Sequence, residues 1–156
     1  LHRTFCDYIL NISDKTYGEI RDTLRSTYKL PLPVGAPTQT YSRDQHRDAF
    51  LKFASFVQGN LNGQTSVRID GTWASQSEVI RGFADFSLPD MVLREACLAD
   101  ELAYLAETLG LEAPPVESAP EEMPFSLAEI YDAEVEEAVK AAYQWDYMMF
   151  GFASWA

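Results

Sequence analysis

The stretch DMVLREACLADELAYLAETLG, residues 90–110, decides how the fold is read. Met91-Val92-Leu93 is a short apolar run bounded by Asp90 and Arg94, the pattern of a strand covered on both faces. Leu98, Leu102, Leu105 and Leu109 then recur at three- and four-residue steps up to Gly110, so the strand leads into a helix with a left-handed stop. A second short strand is expected at 65–69, where Val67 and Ile69 share a face just after the Asn62-Gly63 turn.

Outward from this stretch, helix starts are marked by Ser or Thr followed three positions later by Glu or Gln, the reciprocal capping arrangement. Thr16 with Glu19, Ser42 with Gln45 and Ser126 with Glu129 each fit. The first predicts a helix to about Tyr28 with Ile20, Leu24 and Tyr28 on one face. The second predicts a core helix with Phe50, Phe53, Ala54 and Val57 as its stripe, ending near Gly59-Asn60. A further helix is expected at the start of the chain on Phe5, Tyr8, Ile9 and Ile12, without a capping residue ahead of it. A terminal helix follows from Val135, Val139, Tyr143 and Tyr147, its outer face of Glu134, Glu136 and Glu137 solvated. Pro31, Pro33 and Pro37 hold 29–41 in a loop. The Pro- and Glu-rich stretch 112–125 reads as an excursion from a single domain spanning 1–156.

Composition limits the function classes. With 156 residues and 47% hydrophobic content, the chain suffices for one ordinary folded domain. Its net charge of -12 is uneven: residues 1–94 hold 11 basic and 10 acidic groups, residues 95–156 one basic and 14 acidic. Such a balance repels phosphate backbones and anionic membrane surfaces, which argues against nucleic-acid binding. No apolar run approaches the ~18 residues needed to cross a bilayer, and no secretory signal is present; a cytoplasmic protein is expected. Cys6 and Cys97 have no metal-ligand or disulfide-framework spacing and are read as buried thiols.

Standard catalytic patterns are missing: the chain holds no Walker-type loop, no G-x-G-x-x-G, no G-x-S-x-G and no H-E-x-x-H. With His2 and His46 as its only histidines, a histidine-rich metal site is not expected, and none is assigned. His46, in Ser42-Arg43-Asp44-Gln45-His46-Arg47, reads as an exposed first-turn residue, with an anion-facing or acid-base role as the alternative. The pairs Glu121-Glu122 and Glu136-Glu137 lack an apolar setting and read as solvated. Trp73-Ala74-Ser75-Gln76-Ser77 gathers an aromatic, an amide and two hydroxyls after the Asp70-Gly71 turn, a group suited either to a planar or sugar-like ligand or, for the Trp, to the core.

Three stretches in order resemble the C-terminal portion of carbohydrate-type sulfotransferases. They are Trp73-Ala74-Ser75-Gln76, then Asp90-Met91-Val92-Leu93-Arg94 with the helix to Leu109-Gly110-Leu111, and then Tyr131, Val135, Val139, Tyr143, Asp146-Tyr147 and Phe150-Gly151-Phe152. Residues 1–9 are similar to the helix after that family's 3'-phosphate-binding segment. The resemblance implies an α/β chain: the mostly helical C-terminal part of a P-loop-like, three-layer parallel-sheet fold. It implies transfer of a sulfuryl group from 3'-phosphoadenylyl sulfate to a hydroxyl of a sugar or similar small acceptor, without a metal. Arg3 and Thr4 would contribute to the donor's 3'-phosphate and adenine surroundings, and Trp73, Gln76 and Ser77 to donor or acceptor contact. The family's phosphate loop and base would precede Leu1, so no catalytic residue is assigned and the chain alone is expected to be inactive and, with open strand edges, prone to aggregate. A different class competes, an acidic helical module that binds a basic partner without catalysis. A degenerate, non-catalytic sulfotransferase-like binder is the third reading.

Overall fold

A computed structural model describes residues 1–116 and 123–155. Every regular element among them is helical. Helix α1 opens as a single α turn, His2–Thr4, and continues as a π-helix, Phe5–Leu10. Then follow α2 (Gly18–Ser26), α3 (Arg43–Leu61), α4 (Gln76–Ala84), α5 (Leu98–Leu109), α6 (Leu127–Ile130), α7 (Ala133–Ala142) and α8 (Gln144–Phe150). No helix among the described residues is long and apolar enough to cross a membrane.

The expected α/β fold is therefore corrected: the described residues contain no strand and no parallel sheet. The segment 91–93 is irregular, with Met91 40% and Val92 49% exposed. A three-residue apolar run becomes a buried strand only when neighbouring strands take up its backbone donors and acceptors, and none is there to do so. The segment 65–69 is likewise irregular. Its polar groups pair with the end of α3 instead: Asn60 Nδ2 donates to Thr65 Oγ1 at 2.7 Å and to the Val67 carbonyl at 2.6 Å.

Contacts divide the chain into two compact units, Leu1–Val79 with Glu122–Ala156, and Ile80–Glu121. The first is built around α3. Its capping box forms as the sequence predicts, Gln45 N–H donating to Ser42 Oγ and Ser42 N–H to Gln45 Oε1. Its stripe of Phe50, Phe53 and Val57 is buried together with Phe5, Ile9, Leu24, Trp73 and Val135. Helices α6 and α7 pack against α3, and the ring of Phe5 on α1 lies 5.7 Å from that of Phe50 and 5.4 Å from that of Phe53. Helix-on-helix burial thus completes this core without a sheet.

Two predicted helix boundaries shift, each for a visible reason. Helix α2 starts at Gly18 because Thr16 spends its hydroxyl on the preceding turn, donating to the Asn11 carbonyl and accepting from Ser13 N–H. The terminal helix is broken at Tyr143 (φ -117°, ψ 33°) into α7 and α8. The acidic face of α7 is more engaged than a solvated surface: Arg47 pairs with Asp132 at 2.6 Å and Glu134 at 2.5 Å, and Lys140 with Glu136 at 2.9 Å.

Within the second unit, a 3-10 turn at Glu95–Cys97 leads into α5, which ends at Gly110 as predicted. Gly110 has φ +67°, and the N–H of Leu111 returns to the Ala106 carbonyl at 2.8 Å, a closure that glycine adopts without steric cost. Of the excursion expected at 112–125, residues 112–116 are irregular, while 117–122, including the Glu121-Glu122 pair, lie outside the described residues.

Candidate functional site

The five residues assigned by resemblance come from two neighbouring places in the first unit. Thr4 donates its hydroxyl to the Thr72 carbonyl at 2.9 Å, which ties α1 to the loop before α4. That loop turns on Asp70, whose Oδ1 accepts from the N–H and the hydroxyl of Thr72 at 2.9 Å each. Trp73 is 1% exposed, and its indole N–H donates to Asn60 Oδ1 at 2.8 Å. Its carbonyl accepts from the Tyr143 hydroxyl at 2.8 Å. Trp73 is therefore a core residue, the alternative its composition left open.

Gln76 and Ser77 open α4, where the uncommitted amides of a helix start favour an anion. The anion found there is internal. Asp146 of α8 is buried and accepts from Gln76 N–H and Ser77 N–H at 2.9 Å each, from Ser75 Oγ at 2.7 Å and from Ser77 Oγ at 2.6 Å. Burial pushes the Asp146 carboxyl upward, but the bonds from Ser77, Ser75 and Gln76 outweigh it and hold the group below the ordinary carboxylate value. Burial likewise raises the nearby Tyr143 phenol, which stays protonated and able to donate. These contacts account for the break in the terminal helix. Turning at Tyr143 lets one hydroxyl and one carboxylate, three residues apart, reach the same loop.

Arg3 stands apart from these four: its side chain is half exposed and lies 3.9 Å from Asp7. An open depression of about 840 Å³ lies elsewhere on the first unit, lined by Asp7, Asn11, Lys15, Gln39, Tyr41 and Phe125 among others, and none of the five assigned residues borders it.

A second constellation was not expected from the sequence. His2, Cys6 and His46 are all buried, with His2 Nε2 2.8 Å from His46 Nε2 and Cys6 Sγ 3.7 Å and 3.9 Å from those two atoms. The expectation that His46 is exposed is corrected. His46 continues the stripe of Phe50, Phe53 and Val57 at i, i+4, i+7 and i+11, and this spacing was the signal that it faces the core. His2 and Cys6 are one helical turn apart, the spacing that puts two side chains on the same face. Burial lowers both histidine pKa values to about 4, for His2 with a contribution from His46, so both rings are neutral at pH 7. Cys97 is corrected in the opposite sense, being exposed, and neither cysteine is in a disulfide.

No family model, curated protein or solved structure matches the chain.

Proposed function

We propose that the chain is the helical part of a sulfotransferase that carries a sulfuryl group from 3'-phosphoadenylyl sulfate to a hydroxyl of a sugar or similar acceptor. The observation that supports this reading is the Asp146 junction. The Trp73-to-Ser77 loop and the Asp146-Tyr147 end of the chain resemble one family separately, and four hydrogen bonds to one carboxylate join them. Thr4, from residues 1–9, whose similarity to the same family stands beside those stretches, bonds the carbonyl next to Trp73.

Thr4, Trp73 and Ser77 do not fit direct contact with the donor, since their hydroxyl and indole donors are committed internally, and Gln76 commits its backbone N–H to Asp146 while its side chain is exposed. Their part is to position the loop between α1 and α8. Arg3 keeps a half-exposed guanidinium and is the one cation among the five suited to touch a phosphate.

The test is binding of adenosine 3',5'-bisphosphate to the natural protein by calorimetry, together with sulfuryl transfer from the labelled donor to a panel of sugars. Binding is expected, and Arg3→Ala should weaken it about tenfold, the loss of one charge-assisted contact. Failure of the natural protein to bind the bisphosphate overturns the reading and leaves the acidic helical module as the better account.

A further inference from the structure

The buried trio of α1 and α3 has the composition and spacing of a metal centre. Imidazole nitrogen and thiolate sulfur are ligands for borderline divalent ions of the zinc class, whereas magnesium and calcium require oxygen. Around a tetrahedral ion with Zn–N of ~2.05 Å and Zn–S of ~2.3 Å, ligand atoms lie ~3.3 Å apart for N···N and ~3.6 Å for N···S. The Sγ···Nε2 separations of 3.7 Å and 3.9 Å already suit such a face. The Nε2···Nε2 distance of 2.8 Å is that of one imidazole donating to the other, and it has to open by about 0.5 Å when an ion enters.

A second observation points the same way. His46 Nδ1 is buried and has no hydrogen-bond partner, and the buried hydroxyl of Tyr41, whose ring stands edge-on to His46, has none either. Two imidazoles and a thiol in an apolar core, with one ring nitrogen bare, cost more than three aliphatic side chains of the same volume. Coordination through the two Nε2 atoms and Sγ offsets the cost of burying those three groups, and the bare His46 Nδ1 is the position that carries the proton of an Nε2-bound neutral ring.

We infer that His2, Cys6 and His46 form a site for a zinc-class divalent metal ion that fastens α1 to α3. Three protein ligands leave one position for solvent, and the Tyr41 hydroxyl is an uncommitted polar group beside His46 for a solvent ligand to use. Both imidazoles bind as neutral rings through Nε2, the ring that donated in the metal-free pair carrying its proton on Nδ1 instead. Cys6 binds as the thiolate, so one proton leaves for each ion taken up. This site stands on residues other than those behind the sulfotransferase reading and does not depend on it.

The test strips the whole protein with a chelator and titrates it with Co²⁺, a spectroscopic stand-in for Zn²⁺. One equivalent should bind, producing the visible bands of tetrahedral cobalt and a thiolate-to-cobalt charge-transfer band. Zn²⁺ should abolish both by displacing the cobalt without further proton release, and uptake of either ion by the stripped protein should release one proton per ion. Cys6→Ser should remove the charge-transfer band, Cys97→Ser should leave it intact, and His46→Ala should weaken binding at least about 100-fold. The wild-type titration and the Cys97 variant decide the matter even where a core variant fails to fold. No stoichiometric cobalt spectrum from the stripped wild-type protein, or a charge-transfer band that follows Cys97, overturns the site.

Discussion

Asp146 shows how a single side chain can hold a loop that its own neighbourhood does not specify. Its four donors all come from 75–77, about 70 residues away in sequence, and none of them is a side-chain cation. The pH dependence follows from the direction of its shift. A carboxyl held below its unfolded value of 3.8 contributes stability that is fully present above that value and is lost as pH falls through the folded pKa. Comparing urea midpoints from pH 7 down to 2, wild type should lose stability relative to Asp146→Asn only below about pH 4, because the amide does not titrate. Parallel curves for the two proteins throughout that range would remove Asp146 from the account. Arg21 poses the complementary problem. It is buried, and its guanidinium donates to the carbonyls of Ile9, Pro33 and Gly35 at 2.9, 2.6 and 3.1 Å. Arg21→Met keeps the volume but leaves those carbonyls without their donor, and a loss of about 2–4 kcal/mol is expected in urea unfolding. A loss under about 0.5 kcal/mol would mean that the loop at 33–35 does not depend on Arg21.

Among the elements, legibility tracks how local the deciding interaction is. The Ser42 box could be read because its donors and acceptors are three residues apart, and α5 because its leucine period and Gly110 sit on one short stretch. Ser42→Ala should accordingly cost about 1 kcal/mol in chemical unfolding, one helix cap removed from the central helix of the core. An unchanged midpoint would show that α3 is set by packing alone. The strands were misread because a strand is a relation between segments: 91–93 has the right residues, and what it lacks is a partner. The break at Tyr143 was invisible for a related reason, since the period Val135, Val139, Tyr143, Tyr147 runs straight through it and the bonds that bend the chain go to residues near Trp73. Of the candidate sites, the Trp73 loop was legible as a cluster but its internal use was not. The trio of His2, Cys6 and His46 went unread because its members lie 44 residues apart, although each side's helical spacing was present.

Across the whole molecule, burial is distributed very unequally between the two units. In the first, α3 alone buries His46, Ala49, Phe50, Phe53, Ala54, Phe56, Val57 and Asn60. In the second, α5 buries Ala106 alone among its described residues, while Tyr104 and Leu109 stay largely exposed and Phe86 is 93% exposed. A helix of 12 residues has little stability of its own in water, because nucleation is unfavourable and only packing of an apolar face repays it. The two units should therefore open with different free energies. In native-state amide exchange, the amides in the middle of α3 should exchange only through global unfolding, with protection that rises and falls with the overall stability. Those of α5 should exchange through local opening, at least about 100-fold faster and insensitive to Ser42→Ala, which lowers the stability of the first unit only. Equal protection in the two helices would mean that the apolar face of α5 is covered in solution, and the exposed leucines and aromatics of 80–116 would then mark where the covering surface binds.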